Sequence, residues 1–197
     1  MQIENSKLGG MLLFIGAVQW VLGVLWAEAL YPGYSSRIDY VSDLGIGPTA
    51  LIYNGSSILL GICVILSAYF INRDYNFRPF TIVLLMTGIG AMGVGIFPAS
   101  MQPWHSLFTL IALVFGAISG ILSFKIQAKP LSYVSIFLGI FALVAAVVFF
   151  PYLGLPTGAT DEYLGMAKGS LERWVIDPII AWAIGFGAAL VGTNERT

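Results

Sequence analysis

Seven polar or ionisable residues that could contact a ligand lie in or beside the apolar stretches of this sequence. They are Ser42, Asp43, Asn54, His105, Glu172, Arg173 and Asp177. Ionisable groups in apolar segments are costly and usually face the interior of a bundle or a wet cavity. We therefore expect one shared pocket, in which Arg173 contacts an anionic group and Asp43, Asn54 and His105 orient a lipid headgroup or another small amphiphile.

The same residues also fit a structural interpretation. Ser170 can cap a helix that begins near residue 171, and Glu172 then lies favourably in its first turn. Arg173 and Asp177 have the i,i+4 spacing of an ion pair on one helix face. Helix capping and ion pairing therefore remain an alternative explanation for these residues, next to a ligand-binding pocket.

The elements that position these residues are membrane spans. No Asp, Glu, Lys or Arg occurs at 79–124, between Arg78 and Lys125. The chain of 197 residues is 58% hydrophobic and only 10% charged, with a mean hydropathy of +0.88, against roughly 25% charged residues in soluble domains. A transmembrane helix needs about 20 apolar residues, so this stretch predicts two spans with a turn near Pro98 and Pro103.

Six uncharged or nearly uncharged segments are long enough to span a membrane. They lie at about 8–30, 50–71, 79–98, 104–124, 131–151 and 171–193. In hydrocarbon every backbone amide must be satisfied internally, and these segments lack the alternation of barrel strands, so the spans are helices. The sequence predicts an all-α, polytopic membrane bundle of six transmembrane helices that forms a single domain over 1–197.

The distribution of basic residues predicts the orientation of this bundle. Six spans place both termini on one side, and that side carries Lys7, Arg73, Arg78, Lys125, Lys129 and Arg196. Because only Arg37, Lys168 and Arg173 lie opposite, we expect the N and C termini to be cytoplasmic in a multi-pass protein of the cell membrane. The two long connections, 31–49 and 152–170, are aromatic and apolar, which predicts ordered caps over the outer mouth.

Composition disfavours several classes of site. The net charge of −1 provides no basic surface for nucleic acid. A single cysteine, Cys63, cannot form an internal disulfide or a cysteine-based metal site. With His105 as the only histidine, neither a His-rich zinc site nor bis-histidine haem ligation can form within the chain. We therefore predict no metal and no cofactor.

A catalytic alternative stays open. Ser42, His105 and an acidic residue could form a nucleophilic triad near the outer surface. Ser42 has Val41 and Asp43 as neighbours, however, and lacks the flanking glycines of a strained nucleophile turn.

A glycine motif resembles a nucleotide-binding fingerprint only superficially. Gly88-x-Gly90-x-x-Gly93 follows no strand and has no acidic residue about 20 positions further on. We interpret it as a close-packing helix face, and such Gly-rich faces could also pack against a second copy of the chain.

Motifs along nearly the whole chain resemble one family of integral membrane proteins. They are Tyr31-Pro32-Gly33-Tyr34 and Ser42-Asp43-Leu44-Gly45 after the first span, Asn54 in the second, Gly95-Ile96-Phe97-Pro98 before His105, and Glu172-Arg173 at the start of the last. Their order is similar to that of the family catalogued as domain of unknown function 998. The Ser-Asp-Leu-Gly element alone also resembles the Frag/DRAM/Sfk group of six-helix proteins. The first resemblance implies a six-span architecture and no particular activity.

We interpret the chain as an integral membrane protein with an outer-half polar pocket that binds, or takes part in remodelling, a lipid or small amphiphile. Two alternatives stay open. A small-molecule or ion transporter or channel would need a polar path that continues to the cytoplasm. A structural assembly protein would instead direct these polar residues at other subunits.

Overall fold

Six long helices dominate the computed structural model, which describes residues 4–155, 162–163 and 165–192. They are α1 Asn5–Leu30, α2 Ala50–Tyr75, α3 Arg78–Ile96, α4 Trp104–Leu122, α5 Leu131–Phe149 and α6 Lys168–Gly192. Each of the six is long and apolar enough to cross a membrane. The prediction of an all-α, six-helix membrane bundle is therefore confirmed.

Shorter elements occupy the connections. They are 3-10 turns at Val41–Gly45, Ser123–Lys125 and Phe150–Tyr152, and strands β1 Glu162–Tyr163 and β2 Met166–Ala167. The strands form an antiparallel hairpin in which Glu162 lies opposite Ala167. Gly165 lies between them with a φ of 73°, a left-handed conformation that glycine adopts without strain. This hairpin was not predicted from the sequence.

The helices form a closed ring. Each helix packs against the next one in the sequence, and α6 packs against α1. At one end of the ring α1, α3 and α5 finish and α2, α4 and α6 begin. We call this the capped end, because the segments 31–49, 97–103 and 150–155 lie there. The opposite end carries Lys7 and Arg73 and is called the basic end.

Two helices extend further at the basic end than the sequence predicted. Helix α1 begins at Asn5 rather than near 8, and α2 continues to Tyr75 rather than ending near 71. Asp74, in the additional turn of α2, contacts the additional turn of α1: its carboxylate accepts the backbone N–H of Ser6 at 2.6 Å and an N–H of the Asn5 side-chain amide at 3.0 Å. These bonds satisfy donors at the start of α1. The predicted end of the last span at 193, like Arg196, lies outside the described residues.

The centre of the ring is packed with apolar side chains and small residues. Trp20 and Trp182 are buried, and each indole N–H donates to a serine hydroxyl, Ser57 at 3.1 Å and Ser123 at 3.0 Å. Buried tryptophan N–H groups need such partners. These bonds tie α1 to α2 and α6 to the end of α4.

The outer surface of the ring is apolar. Leu51 is 88% exposed and Val147 is 75% exposed, together with many other large hydrophobic side chains. Contiguous apolar surface of this kind is rare on soluble monomers. It suits contact with lipid chains around the whole ring.

The orientation in the membrane is a prediction that labelling tests. In a Cys63→Ala background, single cysteines placed in 31–49 should react with an impermeant maleimide added to intact cells. Cysteines at Arg73 or Lys125 should react only after permeabilisation. Labelling of either basic-end position in intact cells would reverse the orientation.

Candidate functional site

The connection between α1 and α2 folds over the capped end as a buried turn. Tyr40 donates its backbone N–H to Asp43 Oδ2 at 3.0 Å, and this bond closes the turn Val41–Gly45. Ser42 and Asp43 are buried within it. A carboxylate that accepts a backbone N–H at the start of a turn satisfies a donor that would otherwise be unpaired. The acidic side chain therefore helps to hold the turn that contains it.

Glu172 fastens this turn to α6. Its Oε2 accepts the backbone N–H of Val41 at 2.5 Å, and the side chain is only 3% exposed. A buried carboxylate needs such donors, because an unpaired charge in an apolar interior is strongly unfavourable. The position of Glu172 is thus set by a contact with a segment 131 residues away in the sequence.

Asn54 fastens the other end of the turn to α2. Its side-chain amide donates to the carbonyl oxygen of Gly45 at 3.0 Å. Thr49 adds a second bond, from its hydroxyl to the carbonyl oxygen of Leu44 at 2.9 Å. Asn54 is therefore a support for the turn.

The turn and its neighbours enclose a cavity of about 270 Å³, which we call the cap cavity. The polar residues on its wall are Tyr40, Ser42, Asp43, Ser100, Gln102, His105, Ser106, Thr109 and Glu172. Four of the seven predicted ligand-contacting residues are among them. Asn54, Arg173 and Asp177 do not contribute to this wall.

A second cavity of about 90 Å³ adjoins the first one deeper in the bundle, and we call it the inner cavity. Ser42, Thr109 and Glu172 lie on the walls of both cavities. The other lining residues are mostly apolar: Trp20, Tyr53, Ser57, Leu60, Thr87, Ala91, Val94, Ala112, Leu113, Ile176, Ile179 and Ile180. The cap cavity is therefore the more polar of two neighbouring cavities that share part of their walls.

His105 is buried on the wall of the cap cavity. Its Nδ1 lies 2.7 Å from the carbonyl oxygen of Phe97. Because a carbonyl only accepts, Nδ1 carries a proton, and Nε2 of the neutral imidazole is then an acceptor. A nucleophilic triad places a carboxylate at the nitrogen that Phe97 occupies here. The Ser42, His105 and acid arrangement does not take that form.

Arg173 belongs to a separate cluster at the junction of α1 and α6. Its Nη2 donates to Glu28 Oε1 and, at 3.1 Å, to the hydroxyl oxygen of Tyr34. Among the described residues its ion pair is with Glu28. The predicted i,i+4 pair with Asp177 is therefore wrong, and so is the expectation that Arg173 contributes to the same cavity as His105.

Tyr34 connects this cluster to the buried turn. Its hydroxyl donates to the carbonyl oxygen of Tyr40 at 3.2 Å. Burial raises the pKa of Tyr34 well above its usual value, although the neighbouring Arg173 opposes that shift. The hydroxyl consequently stays protonated near neutral pH and keeps this donated bond.

Lys168 is a component of the capped end that was predicted from the sequence to lie in a loop. It begins α6, three residues before the predicted start, and it is completely buried. Its Nζ lies 4.3 Å from the centroid of the Tyr40 ring, a favourable cation–π distance. Ser170, predicted as the N-cap, lies inside the helix and donates its backbone N–H to the carbonyl oxygen of Arg37 at 3.1 Å.

Thr109 is the residue whose importance the sequence could have indicated. It follows His105 by four positions on α4, so the two side chains lie on the same helix face. Its hydroxyl is buried and has no hydrogen-bond partner. Lys168 and Glu28 offered no such periodic signal, because their partners lie on other elements.

Six helices that are each long and apolar enough to span a membrane define a multi-pass membrane protein. The chain belongs to the family described as Protein of unknown function (DUF998), whose model matches residues 14–189. That match confirms the resemblance to domain of unknown function 998, while the weaker likeness to the Frag/DRAM/Sfk group stays untested. No curated protein and no solved structure matches the chain.

Proposed function

We propose that this protein binds a small amphiphile, or the polar end of a membrane lipid, in the cap cavity and the inner cavity. The observation that carries the proposal is that the cap cavity, which has several polar residues on its wall, shares the wall residues Ser42, Thr109 and Glu172 with the more apolar inner cavity. A molecule with a polar head and an apolar tail would match the difference in polarity between the two cavities.

The size of the chambers favours a small ligand. Sites for drug-sized molecules usually measure about 300–1,000 Å³, whereas the cap cavity measures about 270 Å³ and the inner cavity about 90 Å³. They can hold a headgroup and a short apolar segment. The longer chains of a lipid would have to remain outside, among the exposed apolar side chains of the ring.

The polar residues nearer the basic end favour binding over transport. Thr87 donates its hydroxyl to the carbonyl oxygen of Val83 at 2.8 Å, and Ser123 donates to that of Gly120 at 2.7 Å. Hydroxyls bonded in this way to their own helix are ordinary in transmembrane helices. Such bonds leave those groups less suited to line a continuous polar path from the inner cavity to the basic end.

The hydroxyl of Thr109 provides a test. In Thr109→Val the shape is nearly kept but the unpartnered hydroxyl is lost, so the stability of the empty protein should change by less than about 1 kcal/mol. A ligand that bonds to this hydroxyl should be retained less well. Native mass spectrometry after mild detergent extraction would compare the bound species in wild type, Thr109→Val and His105→Gln.

Thr81→Val is the matched control. The Thr81 hydroxyl, far from both cavities, donates to Asn72 Oδ1 at 2.8 Å, so its loss should lower stability by about 1 kcal/mol without changing the bound species. Reduced occupancy in Thr109→Val and His105→Gln but not in Thr81→Val supports the proposal. Wild-type occupancy in both cavity variants, or no bound species in any protein, contradicts it.

A further inference from the structure

Two neighbouring positions of α4 bring uncharged hydrogen-bonding side chains to the cap cavity. His105 and Thr109 both lie on its wall, and they are only 4% and 7% exposed. Their spacing of four residues places them on one helix face, with Cβ atoms about 5–6 Å apart. Because a hydrogen bond spans about 2.7–3.2 Å, one ligand atom between the two side chains is able to bond to both.

Thr109 lacks the hydrogen bond that a threonine in a membrane helix usually makes. Thr87, for comparison, donates its hydroxyl to the carbonyl oxygen of Val83, four residues earlier, at 2.8 Å, which is ordinary in such helices. The buried Thr109 hydroxyl makes no such bond to the carbonyl of His105 and has no other partner among the described residues. Buried hydroxyls are nearly always hydrogen-bonded, so this group is available to a bound molecule.

His105 supplies the complementary acceptor. Its Nδ1 carries a proton and lies 2.7 Å from the carbonyl oxygen of Phe97, so Nε2 of the neutral imidazole only accepts. The hydroxyl of Thr109 can donate as well as accept. A ligand hydroxyl matches both side chains with a single oxygen, because it donates to Nε2 and accepts from the threonine.

An uncharged head also suits a poorly solvated site. Moving a hydroxyl out of water costs a few kilocalories at most once it is hydrogen-bonded, whereas an ion is far more costly to bury unless it is paired. Neutral His105, Thr109 and the buried Ser42 on the same wall are all uncharged groups. A hydroxyl needs no countercharge, so it leaves the interactions of the charged side chains at the capped end as they are.

We propose, building on the proposed function, that the ligand is an uncharged amphiphile with a hydroxyl head. Its O–H donates to Nε2 of His105, and its oxygen accepts from the hydroxyl of Thr109. Its apolar part enters the inner cavity, whose wall also includes Thr109. The same chemistry occurs in a free alcohol and in the free hydroxyl of a diacylglycerol.

The test uses the full chain in phosphatidylcholine nanodiscs and measures the thermal unfolding midpoint against the concentration of each probe. Hexanol, 1-methoxyhexane, hexylammonium and hexanoate are compared, with empty nanodiscs to correct for partitioning into lipid. Methoxyhexane keeps the oxygen but cannot donate to His105. Hexanol should bind about tenfold more tightly than methoxyhexane, because one hydrogen bond lost in a buried site contributes roughly that factor, and at least about tenfold more tightly than either ion.

Two variants separate the roles of the two side chains. His105→Asn keeps an amide N–H that can donate to the carbonyl of Phe97 but has no acceptor in the place of Nε2, so hexanol should lose its preference over methoxyhexane. Thr109→Val should lower the affinity of both probes by about three- to tenfold and keep the preference, because both oxygens accept from Thr109. Thr81→Val, near the basic end, should leave both affinities unchanged.

The wild-type comparison decides the proposal even where a variant fails to fold. Equal affinities of hexanol and methoxyhexane, or tighter binding of either ion, would overturn the hydroxyl class and leave amphiphile binding standing. No stabilisation by any probe, with or without diacylglycerol in the nanodiscs, would overturn both proposals and indicate a cavity that holds water alone.

Diacylglycerol added to the nanodiscs distinguishes the two sources of the hydroxyl. Triacylglycerol, in which every hydroxyl is esterified, is the matched control. Loss of the hexanol effect with diacylglycerol but not with triacylglycerol would identify the hydroxyl of a membrane lipid as the ligand group. Persistence of the hexanol effect in both would identify a free alcohol.

Discussion

Glu28→Gln is expected to lower the free energy of unfolding by about 2–3 kcal/mol. Removing one member of a fully buried ion pair costs about 3–5 kcal/mol, and the Glu28 and Arg173 side chains are each 22% exposed, so the expected loss is smaller. Among the described residues, the variant leaves Arg173 with the hydroxyl of Tyr34 as its bonded partner. Unfolding of the purified protein in a mixed-detergent titration would measure the change.

Asp177→Asn is the matched control for this experiment. It removes a carboxylate four residues from Arg173 on the same helix, but Arg173 is bonded to Glu28 instead. Its expected effect on stability is below about 1 kcal/mol. A larger loss in Asp177→Asn than in Glu28→Gln would show that the i,i+4 pair is the real one.

Gly169→Ala is the second change with a large expected effect. A Cβ at this position would meet backbone carbonyl oxygens of the connection between α1 and α2, those of Ser36 and Arg37 at 2.9 Å and that of Asp39 closer still. Backbone cannot move aside as a flexible side chain can, so the added methyl should push the connection off α6. Overpacking of this kind costs about 1–3 kcal/mol, and we expect the upper half of that range.

Gly185→Ala on the same helix provides the comparison. A Cβ there meets no atom within 4 Å, so the variant should be neutral or more stable by up to about 1 kcal/mol, because alanine favours helix over glycine. Thermal unfolding and the rate of proteolysis at 31–49 would be measured for both variants. Similar stabilities and cleavage rates for the two would contradict the packing of α6 against this connection.

The number and type of the membrane-spanning helices could be predicted because they depend on the composition of each segment by itself. Segment 79–124 has no charged residue, and each span satisfies its own backbone groups, so the number of helices follows from composition and length alone. Helix ends were less predictable. Asp74, near the end of α2, bonds to Asn5 and Ser6 at the start of α1, and a contact between two separate helices leaves no local pattern in the sequence.

The candidate site could be predicted only in part for the same reason. Ser42, Asp43, His105 and Glu172, which line the cap cavity, were predicted as site residues because they are polar residues in or beside the apolar segments, a feature that the sequence records. The partner of Arg173 was missed because the local candidate, Asp177, lies four residues away, whereas Glu28 lies 145 residues away. Those two residues meet only because α6 closes the ring against α1.

The most direct test of amphiphile binding is an experimental structure of the protein purified from its native membrane, at a resolution that shows ordered ligands. We expect elongated density whose polar end contacts Asp43, His105 and Glu172 and whose apolar end passes Thr109 into the inner cavity. A cap cavity that holds only discrete water molecules, or one closed by its own side chains, would contradict the proposed function.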